Sequence, residues 1–134
     1  MSKYFFSKNG ARGKESGFFE ITARNFPQLK DIAIQDLNMV VGGFREPHLH
    51  PNAMQLDFCI SGQGEIGILE PDGEEHIIEL TPGDAAFIPR GFVHWIKNTD
   101  SGNSRFLLIV SNELPETIEV ASSYNALPVE FKYT

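Results

Sequence analysis

The sequence predicts an all-β domain built as an antiparallel sandwich or barrel. Short apolar or alternating stretches recur about every ten residues, and Gly, Pro and Asp-Gly turn signals separate them, as is typical of such folds. The composition agrees, because 11 Phe, 12 Gly and 8 Pro favour strands and turns over a helical bundle. No helical periodicity persists between these stretches, so we expect strands to account for most of the ordered structure.

The elements can be placed in order along the chain. Residues 70–73, with Pro and Asp-Gly turn chemistry, predict a hairpin between the two strands that flank them. Residues 122–127 predict a short C-terminal helical turn, with Ser122 as its cap and Pro128 just beyond its end. The predicted strands are residues 32–34, 37–41, 55–61, 65–69, 76–80, 85–88, 92–97 and 105–110.

Length and charge limit the possible functions. A chain of 134 residues is long enough for one core, so we expect an N-terminal arm over residues 1–17 and a single domain over residues 18–134. The net charge of −7, without a basic cluster, argues against nucleic acid and membrane surfaces as partners. A single cysteine, Cys59, cannot form an internal disulfide and is expected to be a small packing residue. Because no stretch resembles a signal peptide or membrane span, the expected location is cytoplasmic.

Histidines carry the strongest chemical signal. His48 and His50 are one residue apart in a stretch expected to be extended, so their side chains point to the same side. Two imidazoles directed into one space suggest a metal, and His94, on a later strand, is the natural third ligand. Gln55 is the next polar side chain that could join them, at a position where a carboxylate would be the expected ligand. His76, after a hairpin turn among charged residues, is expected to be solvated.

The spacing of these residues resembles the two signature motifs of the cupin superfamily. The first block reads Gly42-x5-His48-x-His50-x4-Gln55-x6-Gly62, and the second reads Gly83-x5-Pro89-x-Gly91-x2-His94-x3-Asn98. Residues 42–53, 88–99 and 106–110 are similar in style to the germin and oxalate-decarboxylase branch. The resemblance implies a single-barrel cupin, a jelly-roll β-barrel (double-stranded β-helix), with a divalent transition metal near its mouth: Mn, Fe, Ni, Co or Zn. It implies three ligands, His48, His50 and His94, with Gln55 in the slot that the family fills with Glu.

The same resemblance suggests how a substrate would be held. In the decarboxylases, which are two-barrel chains, an Arg three residues before the first His contacts the carboxylate substrate; here that residue is Arg45. Strict alternation from His48 would place Arg45 on the opposite face, unless a bulge supported by Pro47 resets the direction. Those enzymes also carry a lid-loop Glu that handles the proton. In the shorter segment of this chain, Glu113 or Glu116 could replace it.

Other residues are assigned to the pocket by alternation. Asp57 shares the face of Gln55 and could act as a base or orient a histidine, although a hydrogen-bonded structural role is the commoner outcome for such a residue. Phe87 and Ile96 are predicted to form apolar pocket walls that contact substrate. Trp95 should point away from the pocket.

The amide of Gln55 bears on the expected chemistry. A neutral Gln leaves a divalent metal less compensated than a Glu would, which favours anionic ligands and Lewis-acid chemistry and disfavours oxidation of the metal. We therefore expect a metal-dependent cupin acting on a small organic acid or sugar acid, through lyase, decarboxylase-like or isomerase chemistry. The alternative is a non-catalytic ligand-binding or sensor cupin, because Gln55 could mark a barrel that has lost catalysis.

An apolar row predicts self-association. Leu56, Phe58 and Ile60 alternate with the pocket-facing residues of their strand and must face out of the barrel. Contiguous exposed apolar patches usually mark interfaces, and related cupins commonly pair through this face. We expect a homodimer, unless the aromatic N-terminal arm covers the row within one chain.

Overall fold

Two five-stranded antiparallel sheets pack face to face in a computed structural model of the chain, which describes residues 3–6 and 17–132. The strands are β1 (Phe18–Ile21), β2 (Ala33–Met39), β3 (Phe44–Leu49), β4 (Gln55–Ser61), β5 (Gly64–Leu69), β6 (Glu75–Leu80), β7 (Ala85–Ile88), β8 (Val93–Asn98), β9 (Ser104–Val110) and β10 (Ile118–Glu119). Helix α1 (Val120–Ala126) follows β10, and a 3-10 turn spans Val129–Phe131. Within the described ranges, no helix has the length and apolar composition needed to cross a bilayer.

The strand order explains how one core forms from strands distant in sequence. One sheet has the order β1-β2-β9-β4-β7 and the other β10-β3-β8-β5-β6, so the chain passes repeatedly between the two layers. Along β9 every second residue is buried, which directs one face of the strand into the space between the sheets. The inward side chains form one apolar cluster: Leu37, Met39, Cys59, Ile66, Ile68, Leu80, Ala86, Ile88, Ile96, Phe106 and Leu108. The prediction of an all-β jelly roll is therefore confirmed, and Cys59 is the packing residue expected.

Three local predictions need correction. The predicted break between residues 34 and 37 is absent, because β2 continues through Asp36, whose carboxylate pairs with Arg105 of β9 at 2.7 and 2.9 Å. The C-terminal helix begins at Val120, so Ser122 lies inside the helix and is not its cap. The short strands β1 and β10 were not predicted.

Two residues of the sequence motifs have structural roles. Asn98, at the end of β8, donates its side-chain amide to the carbonyls of Met39 and Val40, at 3.1 and 2.8 Å, and to that of Gly102 at 2.9 Å. Gly62 has φ of +69°, and a β-carbon there would lie 2.6 Å from the carbonyl oxygen of Asn103. These two motif residues therefore stabilise loops at one end of the sheets, and their role is structural.

A β-bulge in β3 decides where Arg45 points. Arg45 pairs with Ile96 and His48 pairs with His94, so β3 uses three steps where β8 uses two. The extra residue falls in the Glu46–Pro47 segment and resets the alternation. Arg45 therefore lies on the same side of the sheet as the histidines, as the bulge alternative requires.

The outer faces of the sheets carry the remaining aromatic residues. Trp95 packs over Gly67, where a β-carbon would lie 1.9 Å from the indole ring, so it points away from the interior as predicted. In the described part of the N-terminal arm, Phe6 packs against Phe19 and Phe26, with ring centroids 5.9 Å apart in each pair. Residues 7–16 of the predicted arm lie outside the described residues.

Candidate metal centre

Three histidines converge between the sheets. His48 comes from β3, His50 follows directly after β3, and His94 comes from β8, opposite His48 in the strand register. The ring centroids are 4.2 Å apart for His48 and His94, 5.1 Å for His48 and His50, and 5.3 Å for His50 and His94. Each residue is at most 3% exposed, and one nitrogen from each ring lies within 4.8 Å of the others. The motif spacing thus brings three imidazoles to one point.

Backbone carbonyls fix the tautomer of all three rings. The Nδ1 atoms of His48, His50 and His94 lie 2.7, 2.8 and 3.0 Å from the carbonyl oxygens of Glu46, Glu116 and Phe92, respectively. A carbonyl oxygen only accepts hydrogen bonds, so each neutral ring carries its proton on Nδ1 and keeps a lone pair on Nε2. This is the arrangement in which a metal-binding histidine is held by its second nitrogen.

The second ring nitrogen, Nε2, is the one left to bind a ligand. Those of His50 and His94 are buried without a hydrogen-bond partner, which is costly for a polar atom unless a ligand satisfies it. Burial, with smaller effects of nearby cationic groups, lowers the pKa of His48 to about 4 and that of His94 to about 3. Near neutral pH the rings are therefore uncharged, as metal coordination requires. The residues fit a divalent transition metal.

Gln55 presents the fourth donor. It is buried, and its Nε2 donates a hydrogen bond of 2.6 Å to Oδ1 of Asp57, which leaves Oε1 without a protein partner. Only the NH2 end of an amide can donate to a carboxylate, so this bond fixes which end is free. The Gln55 side chain raises the pKa of His50 against the larger effect of burial, which places the amide beside that ring. The free oxygen of Gln55 is therefore available to a metal.

Asp57 lies behind Gln55 rather than in the open part of the site. It is completely buried, and burial raises the pKa of its carboxyl to about 7, against the opposing effect of the Gln55 hydrogen bond. Its position favours an orienting role over direct contact with a substrate. Of the roles considered from the sequence, the hydrogen bond to Gln55 fits a hydrogen-bonded Asp57 better than a base that contacts substrate.

Arg45 stands beside the histidines but is already paired. Its guanidinium donates to both carboxylate oxygens of Glu119, at 2.6 and 2.9 Å, in a fork-to-fork ion pair. The charge of Arg45 lowers the pKa of His48 and His94, each after the larger effect of burial, which shows how near the guanidinium lies. A cation at this point suits an anionic ligand of the metal centre.

The two predicted proton handlers from the lid segment, Glu113 and Glu116, make different contacts. Glu113 Oε2 accepts a hydrogen bond of 3.0 Å from the backbone amide of Asp31, so this side chain is used in a different loop contact. Glu116 contributes its backbone carbonyl to His50, while its residue is exposed. The role predicted for Glu113 therefore does not fit its contact, whereas that of the Glu116 carboxylate stays a prediction.

Two residues of the centre were missed. Glu119 faces Arg45, and the hydroxyl of Thr117 lies 3.2 Å from Nδ1 of His50. Both come from the stretch leading into β10, which the sequence did not reveal as a strand, so nothing linked them to the histidines. A short apolar-polar alternation over residues 118–120 was the only available signal.

The two residues predicted to form pocket walls lie on different faces of the sheets, one inward and one outward. Ile96 is buried on the inward face of β8, two residues from His94, in the apolar core, and its contact with a substrate stays a prediction. Phe87 is 56% exposed and pairs with Leu56 on the outer face of the sheet, so its assignment to the pocket was wrong. In β7 the buried neighbours of Phe87 are Ala86 and Ile88.

His76 belongs to a separate surface group. Its Nε2 lies 3.5 and 3.9 Å from carboxylate oxygens of Glu70 and Glu74 on the β5–β6 hairpin. These side chains are largely exposed, and exposed pairs of this kind contribute little. The expectation that His76 is solvated agrees with its place in the structure.

A β-sandwich that holds three buried histidines with free Nε2 atoms defines a candidate metal-binding protein of the jelly-roll class. The sequence pattern of a known family, described as Cupin, matches residues 8–132. The chain belongs to the cupin family, as its two motifs predicted.

The relatives point to one branch of that family. Germin-like protein subfamily T member 3 of Arabidopsis thaliana is 30% identical over 97 residues, which are 71% of this chain and 43% of that protein. Nectarin-1 of Nicotiana plumbaginifolia is 26% identical over 122 residues, 87% of this chain and 53% of that protein. This chain thus spans about half the length of the curated relatives it matches.

A solved structure supports the same branch of the family. Bacillus subtilis oxalate decarboxylase, studied for its Mn(II) centres, superposes with a TM-score of 0.81 at 25% identity, over 89% of this chain and 32% of that chain. The resemblance to germins and oxalate decarboxylases is therefore confirmed. The buried His48, His50 and His94 triad is consistent with a metal site like the Mn site of that enzyme.

Proposed function

We propose that this cupin binds a divalent transition metal through His48, His50, His94 and Gln55, and acts on a small organic acid or sugar acid. The observation that carries the proposal is the buried cluster of three imidazoles, in which Nε2 of His50 and of His94 lack partners, with a guanidinium beside it. Buried polar atoms without partners require a ligand, and a neutral imidazole is a common metal donor. The adjacent cation selects for an anionic ligand.

The chain's own residues define what the site can do. When bound, the metal would supply Lewis-acid polarisation of a carboxylate or carbonyl oxygen. Gln55 adds no charge to the ligand set, which favours binding of an anion over redox cycling. Arg45 would hold the substrate carboxylate through its planar fork, and Ile96 would exclude water from the apolar side of the ligand. Isomerase, lyase or non-oxidative decarboxylase chemistry fits this arrangement best.

A second candidate is a binding or sensor cupin without turnover. It is favoured by the positions of Glu113 and Asp57, since the carboxylate of Glu113 is used in another loop contact and Asp57 is buried and bonded to Gln55. A binding protein needs no group to move a proton. The two candidates share the metal and the anion and differ only in turnover.

One experiment separates them. Protein purified without chelator and loaded with Mn, Fe, Co, Ni or Zn is incubated with a panel of dicarboxylates and sugar acids, while binding is followed by calorimetry and conversion by NMR. Arg45→Met should remove most of both signals, whereas Arg105→Met, which breaks a similar ion pair on the outer sheet face, should leave them unchanged. Binding without conversion supports the sensor. No binding of any carboxylate by the loaded protein would contradict both.

A further inference from the structure

We infer that Glu119 is an internal competitor for the ligand: its carboxylate occupies the Arg45 fork, and a substrate carboxylate must displace it to bind. The inference rests on the proposed function, because it concerns the same site. It makes Glu119 a residue that sets affinity and selectivity, although it belongs to no cupin motif in this chain.

The geometry is that of a bound carboxylate. Two nitrogens of Arg45 donate to the two oxygens of Glu119 at 2.6 and 2.9 Å, which is the bidentate mode in which a guanidinium binds a planar carboxylate ligand. The edge of the guanidinium formed by Nη1 and Nη2 is therefore taken. A ligand cannot make the same two bonds until Glu119 leaves.

Position ties the pair to the metal centre. In the strand register Glu119 lies opposite His48, so its carboxylate sits at the same end of the sheet as the imidazoles. Charge effects run between Glu119 and His50 in both directions: the carboxylate raises the pKa of the ring, and the ring lowers the pKa of the carboxyl, each as a minor contribution. The Glu119 carboxylate therefore occupies the place that the anionic end of a metal-bound substrate would take.

Both partners can be reached from solvent. The side chains of Arg45 and Glu119 are 27% and 36% exposed, whereas the histidines behind them are buried. An incoming carboxylate thus meets the ion pair before it meets the imidazoles. The guanidinium is paired with a carboxylate both before and after the exchange, so displacement of Glu119 by a ligand leaves no uncompensated charge in the end state.

The segment that carries Glu119 is weakly attached. β10 has two residues, and the seven residues of α1 include none that is buried and gain no side-chain cap at Glu119. A helix this short has little stability without packing. Withdrawal of the Glu119 side chain therefore disturbs little of the core, and the competitor can leave when a ligand arrives.

Competition has a measurable consequence. If Glu119 holds the fork for most of the time, the apparent affinity for a carboxylate is reduced by the fraction of molecules in which the fork is free. Removal of the competing carboxylate should then tighten binding of carboxylate ligands. Neutral ligands of the metal, such as imidazole, should be unaffected because they do not use Arg45.

The test measures oxalate, malonate and imidazole binding to metal-loaded protein by calorimetry. Glu119→Gln should bind the two dicarboxylates about 3- to 10-fold more tightly than the unaltered chain, with imidazole affinity unchanged. Glu119→Asp keeps the charge but shortens the side chain, so it should also bind them more tightly, by a smaller factor. Asp36→Asn removes a carboxylate from the bidentate pair with Arg105 on the other sheet and is the matched control, expected to behave like the unaltered chain.

The outcomes separate the inference from the proposed function. Dicarboxylate binding that is equal in the unaltered chain and Glu119→Gln overturns the inference and leaves the proposed function standing. Tighter binding in Glu119→Gln together with unaltered binding in Glu119→Asp also overturns it, because charge alone would then be the cause. Absence of dicarboxylate binding in every variant, with metal still bound, refutes the proposed function itself.

Discussion

Gln55 donates its amide hydrogen to Asp57 across 2.6 Å, and this bond turns the amide oxygen toward the three histidines. The pair explains how an amide can stand in the slot that a carboxylate fills in other cupins. A carboxylate is still present, but it lies one layer behind the position of the ligand and acts through the amide. Partners of this kind orient ligands and tune a metal.

This relationship leads to a prediction about charge. Gln55→Glu places a second carboxylate next to Asp57 in a buried place, so at pH 8 the metal-free variant should lose about 1–3 kcal/mol in free energy of unfolding. Combining it with Asp57→Asn should restore most of this loss and give tighter metal binding but weaker anion binding. Chemical denaturation and metal titration of the single and double variants would measure both effects. Equal stability of Gln55→Glu and the unaltered chain would contradict the buried-pair argument.

The metal itself is the next prediction. Protein purified without chelator should contain nearly stoichiometric transition metal, and His94→Ala should weaken metal binding by at least about 100-fold, since it removes a ligand and not only a group behind one. His76→Ala changes a surface histidine and serves as the control. Elemental analysis and competition with a chromogenic chelator give the affinities. Retention of full metal affinity by His94→Ala would show that the triad is not the site.

The pKa shifts predict how the metal-free protein responds to acid. Since the pKa of His48 is lowered to about 4 and that of His94 to about 3, both contribute stability that is complete above about pH 6.5 and is lost as the pH falls toward these values. Each should cost about 2 kcal/mol of unfolding free energy between pH 6.5 and 5. Urea unfolding of metal-free protein at several pH values tests this expectation.

Asp57 should have the opposite effect on the pH dependence of stability. The pKa of its carboxyl is raised to about 7, so its contribution is present at low pH and is lost as the pH rises through 7. Asp57→Asn removes this opposing effect, and its stability should therefore fall more steeply on acidification than that of the unaltered protein. Parallel pH profiles for the two proteins would contradict the assignment of the raised pKa to Asp57.

We also propose that the protein is a homodimer through the outer face of β4 and β7. Leu56, Phe58 and Ile60 are 37–38% exposed, and Phe87 extends the row. The described part of the arm packs Phe6 at the β1 end of the same sheet, away from this row. A second copy of the chain is the occupant that closes such a face by two-fold symmetry.

Sedimentation at micromolar concentration tests the dimer. Phe58→Asp should shift the protein to a monomer, whereas Val40→Asp, at an exposed turn residue, should not. A monomeric unaltered protein whose Phe58→Asp variant changes only in folding stability would mean that the chain covers this face itself.

Local pattern explains which parts of the molecule could be predicted from sequence. The strict alternation of Gln55–Ser61 and the paired histidines fix strand faces within a few residues, so β4 and the triad followed from short-range rules. Phe87 could not be placed in this way, because Ala85–Ile88 is apolar throughout and only pairing with Leu56 shows which side faces out. Glu119 reaches Arg45 across 74 positions of chain, a contact that depends on tertiary structure.

The bulge in β3 gives strand length a role that is normally given to side-chain identity. A regular β3 with the same spacing would direct Arg45 to the outer surface, while the imidazoles could keep their places opposite β8. Metal binding and the proposed selection of anions would then be uncoupled by backbone register alone, without any substitution at a chemical group. Deletion of Pro47 would instead leave two steps from Arg45 to His48, as in β8, so the guanidinium should stay on the inner face and anion binding by the metal-loaded protein should persist.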